Sequence, residues 1–272
     1  MSLSISERVK AYELMLNLKE KGLSKEDVIQ RVVYDVGIPS QTVYHWYQYD
    51  LSPFGNRKIQ FNSSFFYVIG ALLGDGCAYY WEKGGRYMVH IVGEKEFMEK
   101  FSRKLEMCTG KKIKEYIDRS KGVWNLKTWN YELFMLLKRF RGDVNLLLDI
   151  LSGGDEYNNS LQFIEGYFDA EGCVKIIKES SRKTPKICLD ICSTDYNVLE
   201  LIRELWMKYL MIEARYSIQV PKKSWKSNNK KTVYHLRIYR KDYIRKFFDN
   251  FHTIKLKPEK VEYVDNWLNN GK

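Results

Sequence analysis

Nine residues occur twice in this chain in nearly the same form, 96 positions apart: Val68-Ile-Gly-Ala-Leu-Leu-Gly-Asp-Gly76 and Ile164-Glu-Gly-Tyr-Phe-Asp-Ala-Glu-Gly172. Each is an apolar, helix-forming run with small residues four apart, Gly70 and Gly74 in the first copy, Gly166 and Ala170 in the second. Small residues at i and i+4 share one helix face and let a second helix approach backbone to backbone. Each run ends in an acid followed by glycine, Asp75-Gly76 and Glu171-Gly172, and the glycine supplies the permissive φ at which a helix stops. Two such helices packed in parallel bring Asp75 and Glu171 side by side at their C-terminal ends. The helix dipole is negative there and the carboxylates repel, so one takes up a proton unless a cation intervenes. Oxygen ligands held this way suit Mg²⁺, which keeps several waters and completes its shell with phosphate oxygens. For either copy alone, an ordinary buried helix with a glycine cap is the competing interpretation. The duplication favours a paired site.

The rest of the chain repeats the same order of elements around each motif. Strands are expected over 77–82 and 86–92, a helix over 94–107, strands over 112–119 and 122–129, and a helix over 131–140. The second half follows with strands over 173–178 and 186–192, a helix over 196–211, strands over 214–220 and 232–239, and a helix over 242–251. Equal order around equal motifs implies an internal duplication with a pseudo-two-fold axis. Alternation gives each sheet one apolar and one polar face: Tyr234, Leu236 and Ile238 oppose His235, Arg237 and Tyr239, while Val123, Asn125 and Lys127 oppose Trp124, Leu126 and Thr128.

On these residues the chain resembles the LAGLIDADG homing endonucleases. The second copy matches the consensus in Gly166, Asp169, Ala170 and Gly172, with Glu171 as the permitted acid; in the first, Leu73 and Gly74 replace the consensus Asp and Ala. The resemblance covers about residues 62 to 270. It implies a single-chain, two-motif α+β protein, a pseudo-two-fold duplicated αββαββα fold whose antiparallel sheets form a DNA-binding saddle. It implies a metal-dependent, site-specific double-strand DNA endonuclease, a monomer serving intron or intein mobility, that cuts across the minor groove of a long, pseudo-palindromic duplex and leaves 3′ overhangs. Relatives that bind without cleaving, as regulators or as intron RNA maturases, form the alternative class.

The chemistry assigns residues to roles. Asp75 and Glu171 are the metal ligands and catalytic acids, and the Gly74 and Ala170 carbonyls, freed at helix ends, add further oxygen ligands. Mg²⁺ is the expected ion, Mn²⁺ its substitute, and Ca²⁺ one that binds without turnover. The family places a basic residue near each acid, late in each half: Lys257 is first choice and Lys255 second in one half, Arg141 ahead of Lys138 and Arg139 in the other. It also places water-positioning polar residues after the second strand, where Gly93 and Ser193 stand here, and Gly93 has no side chain for the task. The outward residues Arg86, His90, Lys114, Lys127, Lys175, Lys186, Arg215, Gln219 and Arg237, with the loop residues Lys222, Lys223, Trp225 and Lys226, are expected on DNA. Arg and Gln suit base edges, and the lysines suit phosphates.

Charge points the same way. Between Ile212 and Lys260 stand fourteen Lys or Arg against four acids, an excess of ten out of the chain's net +11. Such clustering fits a polyanion, although a solvated lysine loop gives the same count. An apolar content of 44% over 272 residues supports a well-cored protein. No apolar run of membrane length and no signal-peptide core occur, so an intracellular protein is expected. Five cysteines without a CxxC pair favour reduced, buried thiols over disulfides or zinc.

Residues 1–50 differ in kind. Helices over 5–21 and 25–36, the latter capped by Ser24, are followed by the turn Gly37-Ile-Pro39 and a helix over 40–49. That order resembles a helix-turn-helix with Ser40, Gln41 and Tyr44 at the reading end, though a packing module without a ligand has the same outline. Residues 51–62 read as a basic linker whose Arg57 and Lys58 follow a phosphate backbone, 63–152 as the first half, and 153–272 as the second. Within them, 141–160 reads as a connector.

Overall fold

The computed structural model describes residues 5–49, 59–82, 86–178, 185–220 and 231–269. The expected DNA contacts Arg57, Lys58, Lys222, Lys223, Trp225 and Lys226 lie outside the described residues. The chain divides into two compact units: residues 1–59, 78–89 and 128–134 make one, and 60–77, 90–127 and 135–272 make the other.

The first unit is built on three helices, α1 (Ile5–Glu20), α2 (Lys25–Val36) and α3 (Ser40–Tyr49). Ser24 caps α2 by accepting from the Asp27 amide at 3.2 Å and donating to its carboxylate at 2.7 Å. Gly37 ends α2 at φ 71°, a left-handed conformation that glycine adopts without strain. Apolar residues at helical spacing, Ala11, Met15, Val28, Val32, Val43 and Trp46, close a core with Ile38 from the turn. Tyr131, in the 128–134 segment, donates to Glu13 at 2.8 Å, and the Ile59 amide donates to Glu132 at 2.9 Å.

The second unit is organised around α4 (Ser63–Gly74) and α8 (Glu156–Glu171), which carry the two motifs. The first half then runs β1 (Gly76–Trp81), β2 (Arg86–Gly93), α5 (Lys95–Thr109), β3 (Tyr116–Asp118), β4 (Val123–Thr128) and α6 (Tyr131–Gly142); α7 (Leu146–Leu151) leads to α8. The second half runs β5 (Gly172–Ile177), β6 (Lys186–Ser193), α9 (Tyr196–Leu210), β7 (Arg215–Gln219), β8 (Val233–Ile238), α10 (Lys241–Asn250) and α11 (Pro258–Asn269). Two antiparallel four-stranded sheets share one strand order, β1-β2-β4-β3 and β5-β6-β8-β7. The fold is the duplicated α+β arrangement expected. In β6 and β8 the inward residues Ile187, Leu189, Ile191, Leu236 and Ile238 are buried, while the alternate positions carry the polar side chains.

Packing of α4 on α8 obeys the duplication residue by residue. A Cβ added at Gly70 would collide with the Phe163 carbonyl, and one added at Gly166 with the Tyr67 carbonyl. Phe163 lies 96 positions after Tyr67, and Gly166 lies 96 after Gly70, so the two contacts are images of each other. A Cβ at Gly74 would stand 2.6 Å from that of Ala170 and 3.0 Å from Glu171 Cγ. Contacts advance along both helices in the same direction, so the rods are parallel and their C-terminal ends meet.

Three sequence expectations need correction. The glycines after the acids do not serve by positive φ: Gly172 sits at φ −81° in extended backbone, and Gly76 is not among the positive-φ glycines. They serve by clearance, because a Cβ would stand 2.6 Å from the Leu72 carbonyl oxygen at Gly76 and 2.6 Å from the Phe168 ring at Gly172. The strand expected over 112–119 shortens to Tyr116–Asp118. The connector expected over 141–160 holds α7 and the first turns of α8. The sequence reading also set no boundaries for α11.

Candidate functional site

Asp75 is the cap residue of α4, its amide donating to the Ala71 carbonyl at 3.0 Å, and Glu171 is the last residue of α8. Meeting helix ends make them neighbours. Burial and the nearby Asp75 carboxylate push Glu171 up to about 7, against the pull of the Lys255 ammonium. Asp75 keeps a solvent-facing surface, yet the protein around it also raises its pKa, again opposed by Lys255. Two carboxylates brought together at the negative ends of two helix dipoles favour a cation between them.

The basic residues are distributed unequally. Arg141, at the end of α6, donates Nη2 to the Leu72 carbonyl at 3.0 Å and to the Gly76 carbonyl, clasping the end of α4. Lys255 donates Nζ to the Ala170 carbonyl at 2.8 Å, clasping the end of α8. Lys257 is elsewhere: it pairs with Glu94 and lies 3.9 Å from Glu96. Of the two lysines, Lys255 therefore stands at the acids.

The loop carrying Lys255 is fixed by Asp169, the fully buried acid two residues before Glu171. Asp169 Oδ1 accepts from Thr253 Oγ1 at 2.6 Å and from the Ile254 amide at 3.0 Å, and Thr253 Oγ1 accepts from the Lys255 amide at 3.1 Å. Its Oδ2 accepts from Tyr67 at 2.8 Å and from Lys100 at 2.7 Å, and Lys100 also pairs with buried Glu165 and the His252 carbonyl. A buried acid satisfied on both oxygens is a rigid anchor. The first copy has Leu73 at this position. Ser193 accepts from the Asp195 amide at 3.1 Å, and at Gly93 a Cβ would strike the Phe97 ring.

No group of three or more His, Cys, Asp or Glu gathers among the described residues. The anionic ligands on offer are thus two carboxylates, supplemented by carbonyls. This donor set fits a hard, oxygen-seeking divalent ion that takes the rest of its shell from water and phosphate.

The outward sheet residues fall into two chemically different fields. On the second sheet Lys175 pairs with buried Asp190, Arg237 Nε donates to it at 3.2 Å, and Gln219 meets His235 at 3.3 Å. Lys186 and exposed Arg215 border a groove with Arg237, Arg240, Lys241 and Trp267. On the first sheet His90 pairs with Asn125 at 2.9 Å and Lys127 lies 5.6 Å over the Tyr116 ring, whereas Lys114, expected on an outward strand face, is exposed in the segment before the shortened β3. In the other unit, Arg86 stands 5.5 Å over Trp129, and Ser40, Gln41 and Tyr44 are exposed at the start of α3.

A family model for the LAGLIDADG-like domain matches residues 158–252. The chain carries a LAGLIDADG-like domain, on the LAGLIDADG fold. A curated relative, the uncharacterized protein MJ0314 of Methanocaldococcus jannaschii, is 24% identical over 151 residues, covering 53% of this chain and 54% of the relative. The chain thus spans about half the length of that protein. Among solved structures, mesophilic variants of the homing endonuclease I-DmoI are 21% identical over 74% of this chain and 96% of theirs, with a TM-score of 0.49. Full-length DUF199/WhiA from Thermatoga maritima is 13% identical over 78% of this chain and 62% of its own, also with a TM-score of 0.49. The matched stretch of the LAGLIDADG-like domain includes the second motif and its sheet. The first motif, on the α4 side, joins it through the 96-residue repeat.

Sequence reasoning missed Asp190, His235 and Lys100, and ranked Lys255 second. The Asp190 signal was present: in Lys-Ile-Cys-Leu-Asp-Ile-Cys-Ser it takes an outward position of an otherwise apolar strand. Its partners needed the strand register, Asp190 opposite Arg237.

Proposed function

We propose that this chain is a site-specific double-strand DNA endonuclease of the homing type, hydrolysing phosphodiesters with a divalent ion. One observation carries the reading: Asp75 and Glu171 share the junction of two parallel helices whose backbones touch, with Glu171 raised to about 7 by burial and by Asp75. Asp75 and Glu171 would hold the ion, Mg²⁺ or Mn²⁺, with the Gly74 and Ala170 carbonyls as further ligands. When bound, it supplies charge neutralisation at the phosphate, an acidified water and stabilisation of the leaving 3′ oxygen.

The residues of the chain do the rest. Because the acids are related by the pseudo-two-fold, each faces one strand of a duplex, which supports a double-strand break by a monomer. Arg141 and Lys255 hold the two helix ends, and Lys255 places a cation within reach of both acids, where negative charge builds during hydrolysis. Outward residues of the two sheets contact the half-sites of a long, pseudo-palindromic target, and the N-terminal helices supply a helix-turn-helix contact through Ser40, Gln41 and Tyr44.

The test is selection and cleavage on a randomised duplex library with Mg²⁺, repeated with Asp75→Asn and Glu171→Gln. Metal-dependent double-strand cleavage lost in both variants supports the reading. Sequence-selective binding with no cleavage by the unmutated protein makes it a regulator, and preference for structured RNA makes it a maturase.

A further inference from the structure

Asp190 is 1% exposed, yet it sits on the outward face of β6, in a row intended for water or nucleic acid. A buried carboxylate on such a face is costly unless it is paired. Here it is partnered on both oxygens: Lys175 pairs with Oδ2, Arg237 Nε donates to Oδ1 at 3.2 Å, and His235 Nδ1 lies 3.1 and 3.2 Å from the two oxygens. His235 Nε2 meets Gln219 Oε1 at 3.3 Å, so one acid reaches side chains from all four strands of the sheet.

We propose that Asp190 is a positioning residue for sequence reading by the second sheet: it touches no DNA and aims Arg237, Lys175 and, through His235, Gln219 at base edges. The argument rests on the DNA-contacting role given to this sheet above. An arginine held by Nε keeps its two terminal nitrogens directed away from the tether, the donor pair that bidentate recognition of guanine O6 and N7 requires. An untethered arginine on a sheet pays the full entropy of its rotamers and contacts phosphates as readily as bases. Position 90 in β2 corresponds to 190 in β6, and there His90 pairs with the neutral amide of Asn125. The first sheet therefore lacks this device, and the two half-sites are read by different chemistry.

The experiment is a binding selection on randomised duplexes with Ca²⁺, comparing the unmutated full chain with Asp190→Asn and with Arg237→Lys, which keeps a positive charge on the partly exposed side chain beside Asp190. The expected result is that Asp190→Asn lowers base preference about tenfold at a few adjacent positions of one half-site. Arg237→Lys weakens the same positions, and affinity for random duplex is unchanged or higher because a negative charge is gone. Preference unchanged in both variants, or eroded equally in both half-sites, overturns the role of Asp190. Failure of the unmutated protein to select any sequence overturns the DNA reading itself and this inference with it.

Discussion

Replacing Asp75 with asparagine should stabilise the metal-free protein while abolishing cleavage. The Asp75 carboxylate is one of two causes holding Glu171 near 7, and removing it lets the Glu171 pKa fall part of the way toward 4.5, with burial still acting. At pH 8 the repulsion relieved is worth about 1 kcal/mol, readable by urea denaturation, and cleavage drops at least about a hundredfold. The two loop lysines separate just as sharply. Lys255 lowers the pKa of both acids, so Lys255→Met should raise Glu171 above 7, visible by carbon-13 titration of the glutamate side chain, and slow cleavage. Lys257 pairs with exposed Glu94, so Lys257→Met should leave both within about twofold of the unmutated protein.

At the scale of elements, the junction of α4 and α8 tolerates no methyl. Gly70→Ala and Gly166→Ala would each drive a Cβ into a carbonyl of the facing helix and should cost about 3 kcal/mol. Gly142→Ala, at the end of α6 with open space around it, should be neutral or slightly stabilising, and thermal denaturation of the three variants checks the contrast. This junction was legible in the sequence because small residues at i and i+4 have one steric meaning, and the strands because period-two alternation survives wherever one face is buried. What was not legible depended on contacts distant along the chain. The choice between Lys255 and Lys257 is made by the loop that Thr253 and Ile254 tie to Asp169, 84 and 85 residues away. The weight of Asp190 depends on strand register, which aligns it with Arg237, and the glycines after the acids were read as φ effects because clearance against a preceding turn leaves no pattern in composition.

For the whole molecule, the raised Glu171 predicts an unusual acid-side optimum. Its folded pKa of about 7 exceeds the ordinary 4.5, so the folded state holds its proton more tightly, and stability declines as pH rises from about 4.5 through 7. The loss is on the order of 2 to 3 kcal/mol. Glu200 works in the opposite sense: Arg203 holds it down to about 2, so its contribution is lost as pH falls below about 4.5. Metal-free protein should therefore be most stable near pH 5, and millimolar Mg²⁺ should raise the melting temperature at pH 8 but not at pH 5. Mn²⁺ binding followed by calorimetry in buffers of different ionisation heat tests the shared site most directly. The account predicts one site that releases a fraction of a proton near pH 7, none at pH 8.5, and is lost in both Asp75→Asn and Glu171→Gln. Mn²⁺ affinity and proton release unchanged by either substitution would contradict it.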